Sequence, residues 1–163
     1  MTQTEKLLAR NQKYAQAFQA KPNGRPVKQV AILACMDARL DPARALGLEE
    51  GDAHVIRNAG GAVTHDALRS LAISQHLLGT EEIILIQHTD CGMQSFSDEE
   101  LADRLEKHAG ERPPFSAHAF DDLEKNLRES IRALQESPFL LKTDAVRGFV
   151  FDVETGLLEE LRV

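Results

Sequence analysis

The chain has 163 residues, the size of one ordinary domain, and its 42% hydrophobic content is enough to bury a core, which argues against general disorder. A net charge of −7, with acidic and basic residues interspersed, argues against nucleic-acid or anionic-membrane partners, since both require a basic face. No apolar run approaches the roughly 18 residues of a membrane span, and the N-terminus lacks the apolar stretch of a signal peptide, so a cytoplasmic location is expected.

In chain order, Leu7, Leu8, Tyr14 and Phe18 fall at helical spacing, and Thr2 with Glu5 suits a capping box. Two prolines and a glycine between Lys21 and Pro26 break that helix. Val30–Ala34 reads as a buried strand. A short helix follows, with Asp41 as N-cap, Pro42 at its first position and Gly47 at its end. His54–Ile56 is a second strand. A helix then runs from about Thr64 to Leu78, presents Leu68, Leu71, Ala72 and Leu78 inward, and stops at Gly79. Ile83–Ile86 is a third and very apolar strand. Ser97 with Glu100 caps a helix reaching Lys107, and residues 111–119 form a loop with paired prolines. Asp121 with Glu124 opens a long helix to about Glu136. Gly148–Phe151 is a fourth strand, and a turn at Glu154–Gly156 leads to a closing hairpin strand at Leu157–Leu158. Strands alternating with helices predict a single α/β domain with a mainly parallel sheet and an antiparallel edge strand.

The two cysteines, Cys35 and Cys91, are too few for a disulfide framework. Cys35 directly follows the first strand and His88 directly follows the third. In an open parallel sheet, strands one and three are neighbours across a switch point, where ligands bind at the strands' carboxyl ends. Two thiolates and an imidazole meeting there make a zinc ligand set, and three protein ligands leave the open fourth position of a catalytic site. In Cys35-Met-Asp37-Ala-Arg39, Asp37 is placed to accept a hydrogen bond from a zinc-bound hydroxide, with Arg39 holding it in a bidentate fork. The same carboxylate can alternatively swing onto the metal as a fourth ligand and close the site. Arg57-Asn58-Ala59-Gly60-Gly61 follows the second strand into the same crevice. Arg57 there is a candidate source of positive potential for an anionic product, and Ala59, Gly60 and Gly92 are candidate substrate-side walls; alternatively the glycines only make a turn.

Cys35-x-Asp37-x-Arg39 followed by His88-x-x-Cys91-Gly92, within ACMDARLD, VIRNAGG and HTDCGM, resembles the β-class carbonic anhydrases, in particular a short subgroup that also includes carbonyl sulfide hydrolases. The resemblance extends from the N-terminal helix to the last strand. It implies a three-layer domain over residues 1–163, with four parallel strands, an antiparallel fifth and flanking helices. It implies one zinc ion per chain on Cys35, His88 and Cys91, an Asp37–Arg39 dyad, and reversible hydration of carbon dioxide to bicarbonate by zinc-bound hydroxide. Asp37 is the expected fourth ligand of a closed form at lower pH. A homodimer or higher homo-oligomer is implied, with residues 1–26 as a helical arm reaching to the partner. A bicarbonate-inhibited pocket that uses Trp in some relatives is not expected, because this chain has no Trp.

Three other readings stay open: hydrolysis of carbonyl sulfide or carbon disulfide at the same centre, a structural zinc site with Asp37 as permanent ligand, and a non-catalytic zinc or redox-sensing module. His54, His65, His76, His108 and His118 have no assigned role, although His65 at a helix start is a possible proton relay.

Overall fold

The most apolar segments become the two central strands of one sheet. In the computed structural model, which describes Met1–Val163, the strands are β1 (Val30–Cys35), β2 (Ala53–Asn58), β3 (Glu82–His88), β4 (Val146–Phe151) and β5 (Leu158–Leu161). Their order is β2-β1-β3-β4-β5. The first four run parallel, and β5 pairs antiparallel with β4 along the edge. Ala31–Ala34 of β1 and Ile83, Leu85 and Ile86 of β3 are wholly buried, as strands covered on both faces require. The switch point is where expected, since β1 is flanked by β2 on one side and β3 on the other.

The helices are α1 (Gln3–Ala17), α2 (Pro42–Leu46), α3 (His65–Leu78), α4 (Asp98–Ala109) and α5 (Leu123–Gln135). One sheet face packs Ala31, Leu33, Ile83 and Leu85 against Ala67 and Leu71 of α3 and Leu127, Ile131 and Leu134 of α5. The α5–β4 approach is so close that a Cβ on Gly148 would stand 2.5 Å from Ile131 Cδ1. The other face carries Ile32, Ala34 and Ile86, and the turns after β1 and β3 close over it with Leu40 and Met93.

Local signals set most of the boundaries. Thr2–Glu5 and Ser97–Glu100 form capping boxes, and Asp41 accepts from the N–H groups of Ala43 and Arg44. Gly47 and Gly79 end their helices in the left-handed conformation. Some expectations need correction. Cys35 and His88 are the last residues of β1 and β3 and do not follow them. The fifth helix is capped by Asp122, whose carboxylate accepts from Lys125 N–H at 2.9 Å, and not by Asp121. The chain is still tied down before that point: Phe120 N–H donates to Met93 O, and Asp121 O accepts from Gln94 Nε2. On α3, Ser74 and Gln75 are buried more deeply than Leu68, Ala72 and Leu78. Their polar groups are satisfied, Ser74 by His54 and Thr80 and Gln75 by the backbone of Leu141 and Lys142.

α1 buries none of its residues. Leu7, Leu8, Tyr14 and Phe18 are each about half exposed or more, and Tyr14 reaches the rest of the chain through a hydrogen bond to Glu50. No helix is long and apolar enough to cross a membrane.

Candidate metal centre

The β1–β3 ladder places the ends of two strands side by side, and the turn after β3 folds back over them. Cys35 and His88 come from the ladder and Cys91 from the turn. The donor atoms of all three lie within 4.8 Å of one another, and all three residues are buried. His88 is fully buried, and its Nδ1 sits 2.8 Å from Thr89 O. A carbonyl only accepts, so Nδ1 carries the proton and Nε2 presents its lone pair. Nε2 has no hydrogen-bond partner although it is buried. An orphaned buried acceptor facing two sulfurs is costly for a polar network and natural for a metal site. This ligand set fits zinc.

The two sulfurs are electrostatically linked. The hydrogen bond from Cys91 holds the Cys35 thiol below its ordinary range, against the opposing effect of burial and with help from His88. Cys91 is correspondingly pushed up, first by Cys35 and then by burial. One of the two is therefore poised as a thiolate, the form that binds metals.

Asp37 and Arg39 form the fork the spacing suggested. Arg39 Nε donates to Asp37 Oδ1 at 3.0 Å and Nη2 to Oδ2 at 2.9 Å, while the Arg39 backbone N–H adds a bond of 2.8 Å. These bonds, the side-chain ones first, hold the Asp37 carboxyl well below the usual carboxylate range. Asp37 Oδ2 is 3.6 Å from His88 Nε2, yet the carboxylate stays in the guanidinium fork and outside the donor trio.

Asp90 was not singled out from the sequence. Its carboxylate accepts from Arg39 Nη1 at 2.8 Å and its carbonyl from Nη2 at 2.9 Å. Arg39 is thus held between two aspartates, one on each active-site turn. The only signal was position, because Asp90 sits between His88 and Cys91. Its left-handed backbone, φ 52°, turns it toward Arg39.

Cys35, Asp37, Ala59, Gly60, His88, Cys91, Gly92, Met36, Met93 and Phe96 line a cavity of about 280 Å³. Ala59, Gly60 and Gly92 are therefore where the sequence suggested. Arg57 is not. It does not line the cavity, and its guanidinium donates to the carbonyls of Cys35, Asp37 and Leu40 at 2.7–3.1 Å, which shapes the turn after β1. Asn58 brackets the backbone of Ala62 with both amide atoms at 2.8 Å and fixes the Ala59–Gly61 turn. Gly61 makes a close approach: with φ +59°, a Cβ there would sit 3.0 Å from both Cys35 N and Ile86 O.

The remaining histidines lie away from this cavity. His54 bridges Ser74 and Gly24 O, His76 lies against Phe139 O, and His65 and His108 are exposed on helices. His118 lines a neighbouring hollow. A larger hollow, of about 500 Å³ beside Tyr14 and Phe18, is lined by neither cysteine nor histidine.

Comparison with known proteins agrees with this geometry. Residues 30–158 match the model of a family described as carbonic anhydrase. The chain is 51% identical to β-carbonic anhydrase 1 of Mycobacterium tuberculosis over 161 residues, covering 99% of each. It is 34% identical over 158 residues to a carbon disulfide hydrolase of Acidithiobacillus thiooxidans, covering 84% of this chain and 77% of that one. Among solved structures it is similar to a carbonic anhydrase from Streptococcus mutans, with a TM-score of 0.92, 40% identity and 99% of each chain covered.

Proposed function

The chain belongs to the β-class carbonic anhydrase family of lyases, and from that premise we propose that it catalyses the reversible hydration of carbon dioxide to bicarbonate with one zinc ion held by Cys35, His88 and Cys91. The observation that carries this reading is the buried, unpartnered His88 Nε2 between two thiols, with a carboxylate held beside it by an arginine. Zinc held by Cys35, His88 and Cys91 would supply an acidified water, and hence a nucleophile at neutral pH.

The chain's own residues do the rest. Asp37 offers Oδ2 next to the trio as an acceptor, which orients the nucleophile's hydrogen and leaves its lone pair facing the cavity. Arg39 keeps that carboxylate ionised and holds it in the fork, away from the metal ligands. Ala59, Gly60, Met93 and Phe96 surround the cavity with apolar surface that suits a neutral, linear substrate. Addition of the nucleophile's oxygen to carbon breaks one C=O π bond and yields bicarbonate, and the proton released is passed to buffer.

Stopped-flow hydration, run on zinc-loaded protein and on chelator-treated protein of measured metal content, tests the reading. Activity proportional to bound zinc supports it. Stoichiometric zinc with no hydration between pH 6 and 9 refutes it in favour of a structural or sensing site. A second substrate is favoured by the carbon disulfide hydrolase relative: carbonyl sulfide or carbon disulfide at the same centre. Hydrogen sulfide release measured beside carbon dioxide hydration on one preparation separates the two.

The exposed apolar face of α1 supports a homodimer in which residues 1–26 form an arm against a second copy. Two unpaired thiols suit a reducing compartment, the cytoplasm.

A further inference from the structure

Beside the donor trio's cavity lies a second hollow of the same size, about 280 Å³, and the two share Ala59, Met93 and Phe96. Its far side is Leu101 of α4 and the segment Phe115–His118. That segment is pinned in place. Ser116 Oγ donates to the Asp98 carboxylate, Ala119 N–H donates to the same carboxylate at 2.8 Å, and His118 N–H donates to Ser116 Oγ at 3.0 Å.

The polar members of this lining have their polar atoms committed elsewhere. The Asn58 amide grips Ala62, Thr64 Oγ caps α3 by accepting from Ala67 N–H, and Ser116 is engaged as above. Only the His118 imidazole is free. The hollow is open to solvent on the side of the exposed Phe115, Ser116 and His118, while its inner wall of Ala59, Met93, Phe96 and Leu101 offers dispersion contacts and no side-chain hydrogen bond, so that wall favours small neutral apolar molecules over ions.

Met93 is the adaptable part of the shared wall. It is only 8% exposed, and it lies so closely on Gly60 that a Cβ there would sit 3.1 Å from Met93 Cγ. An unbranched thioether side chain can rearrange within such a wall more readily than a branched one.

We propose that the second hollow is an apolar antechamber for the neutral linear substrate, and that Met93 is a specificity-determining residue that sets what passes from it to the donor trio. This rests on the hydration reading above and adds to it where the substrate waits and which residue sorts it. The anionic product finds no hydrogen-bond partner on the inner wall of the antechamber, and leaves past the half-exposed Arg39.

The test pairs a ligand probe with kinetics on zinc-loaded protein. Crystals of the wild type under xenon pressure are expected to show xenon between Leu101 and Ala117, and Ala117→Leu, which fills the space, is expected to lose it. The same variant is expected to lower kcat/KM for carbon dioxide about tenfold, the scale on which an apolar pocket discriminates by size, with zinc content unchanged. Met93→Ala opens the wall and is expected to raise turnover of carbon disulfide relative to carbon dioxide by about the same factor. It tests the wall even if Ala117→Leu does not fold. A wild-type chamber without xenon, an Ala117→Leu enzyme with wild-type kcat/KM, or an unchanged substrate ratio in Met93→Ala overturns the proposal. Xenon in the chamber of a zinc-loaded protein with no hydration activity sinks the hydration reading and leaves the apolar site standing.

Discussion

Replacing Arg39 with Ala separates two quantities that this site keeps apart, stability and activity. The substitution removes two side-chain hydrogen bonds to Asp37 and two to Asp90. Arg39 is 45% exposed and Asp90 80% exposed, so solvent screens the pair with Asp90 almost entirely, and only the pair with the less exposed Asp37 adds to stability. The urea midpoint is therefore expected to move little. Activity is expected to suffer more. Loss of a group that orients a metal-site residue costs about 10- to 100-fold, equivalent to about 1.4–2.7 kcal/mol of barrier. The pH dependence supplies a second readout. With Arg39 present, the folded Asp37 carboxyl lies below its unfolded value, so its contribution to stability is complete above the ordinary carboxylate pKa and is lost as pH falls through the folded value. Without Arg39 that contribution shrinks, and the fall in stability on acidification becomes shallower. Urea melts at several pH values and stopped-flow hydration at constant zinc content measure both effects. An Arg39→Ala protein with unchanged turnover, or one whose activity falls only in proportion to unfolding, refutes the account of the dyad.

Three further outcomes follow from other parts of the molecule. Gly61→Ala forces a Cβ to within 3.0 Å of two strand-end backbone atoms at φ +59°, so it is expected to cost about 1–3 kcal/mol and to lower zinc stoichiometry. Thermal melts with metal analysis check this, and a neutral result removes the close approach from the argument. Leu8→Glu places a charge on the exposed apolar face of α1; it is expected to shift sedimentation velocity from dimer toward monomer while the circular dichroism stays unchanged. Asp98 is held below the usual carboxylate range by Ser116 first and by Ala119 N–H second. Its contribution to stability is therefore present above about pH 4 and lost as pH falls further. Asp98→Asn is expected to flatten that acid limb and to raise hydrogen exchange at Ala119.

Much of the site was legible because its chemistry is local in sequence. Cys35, Asp37 and Arg39 lie at the end of one strand and in its turn, His88 and Cys91 at the end of another and in its turn, and the apolar runs before them identify those strands. The features that escaped depend on the fold. Asp90 reaches Arg39 only through a left-handed backbone, and nothing in its residue type announces that. Arg57 looked like a free charge because its three carbonyl acceptors belong to the neighbouring strand's turn. Met93 and Phe96 are ordinary apolar residues by composition and become cavity walls only where two turns and α4 meet. The helix start moved from Asp121 to Asp122 for the same reason: a tertiary tether competed with a local cap signal.

Two of the three donors belong to the ladder between the deepest strands, and this orders events during folding. The β1 and β3 segments are separated in the chain by β2 and α3, so their pairing is non-local and must await much of the domain's assembly. On the zinc reading, the ion would enter a seat that the sheet has already built. Small zinc modules, by contrast, are held folded by their ion. Here the wholly buried Ala31–Ala34, Ile83, Leu85 and Ile86 keep the seat standing by themselves, and a chelator is expected to silence the protein long before it unravels it.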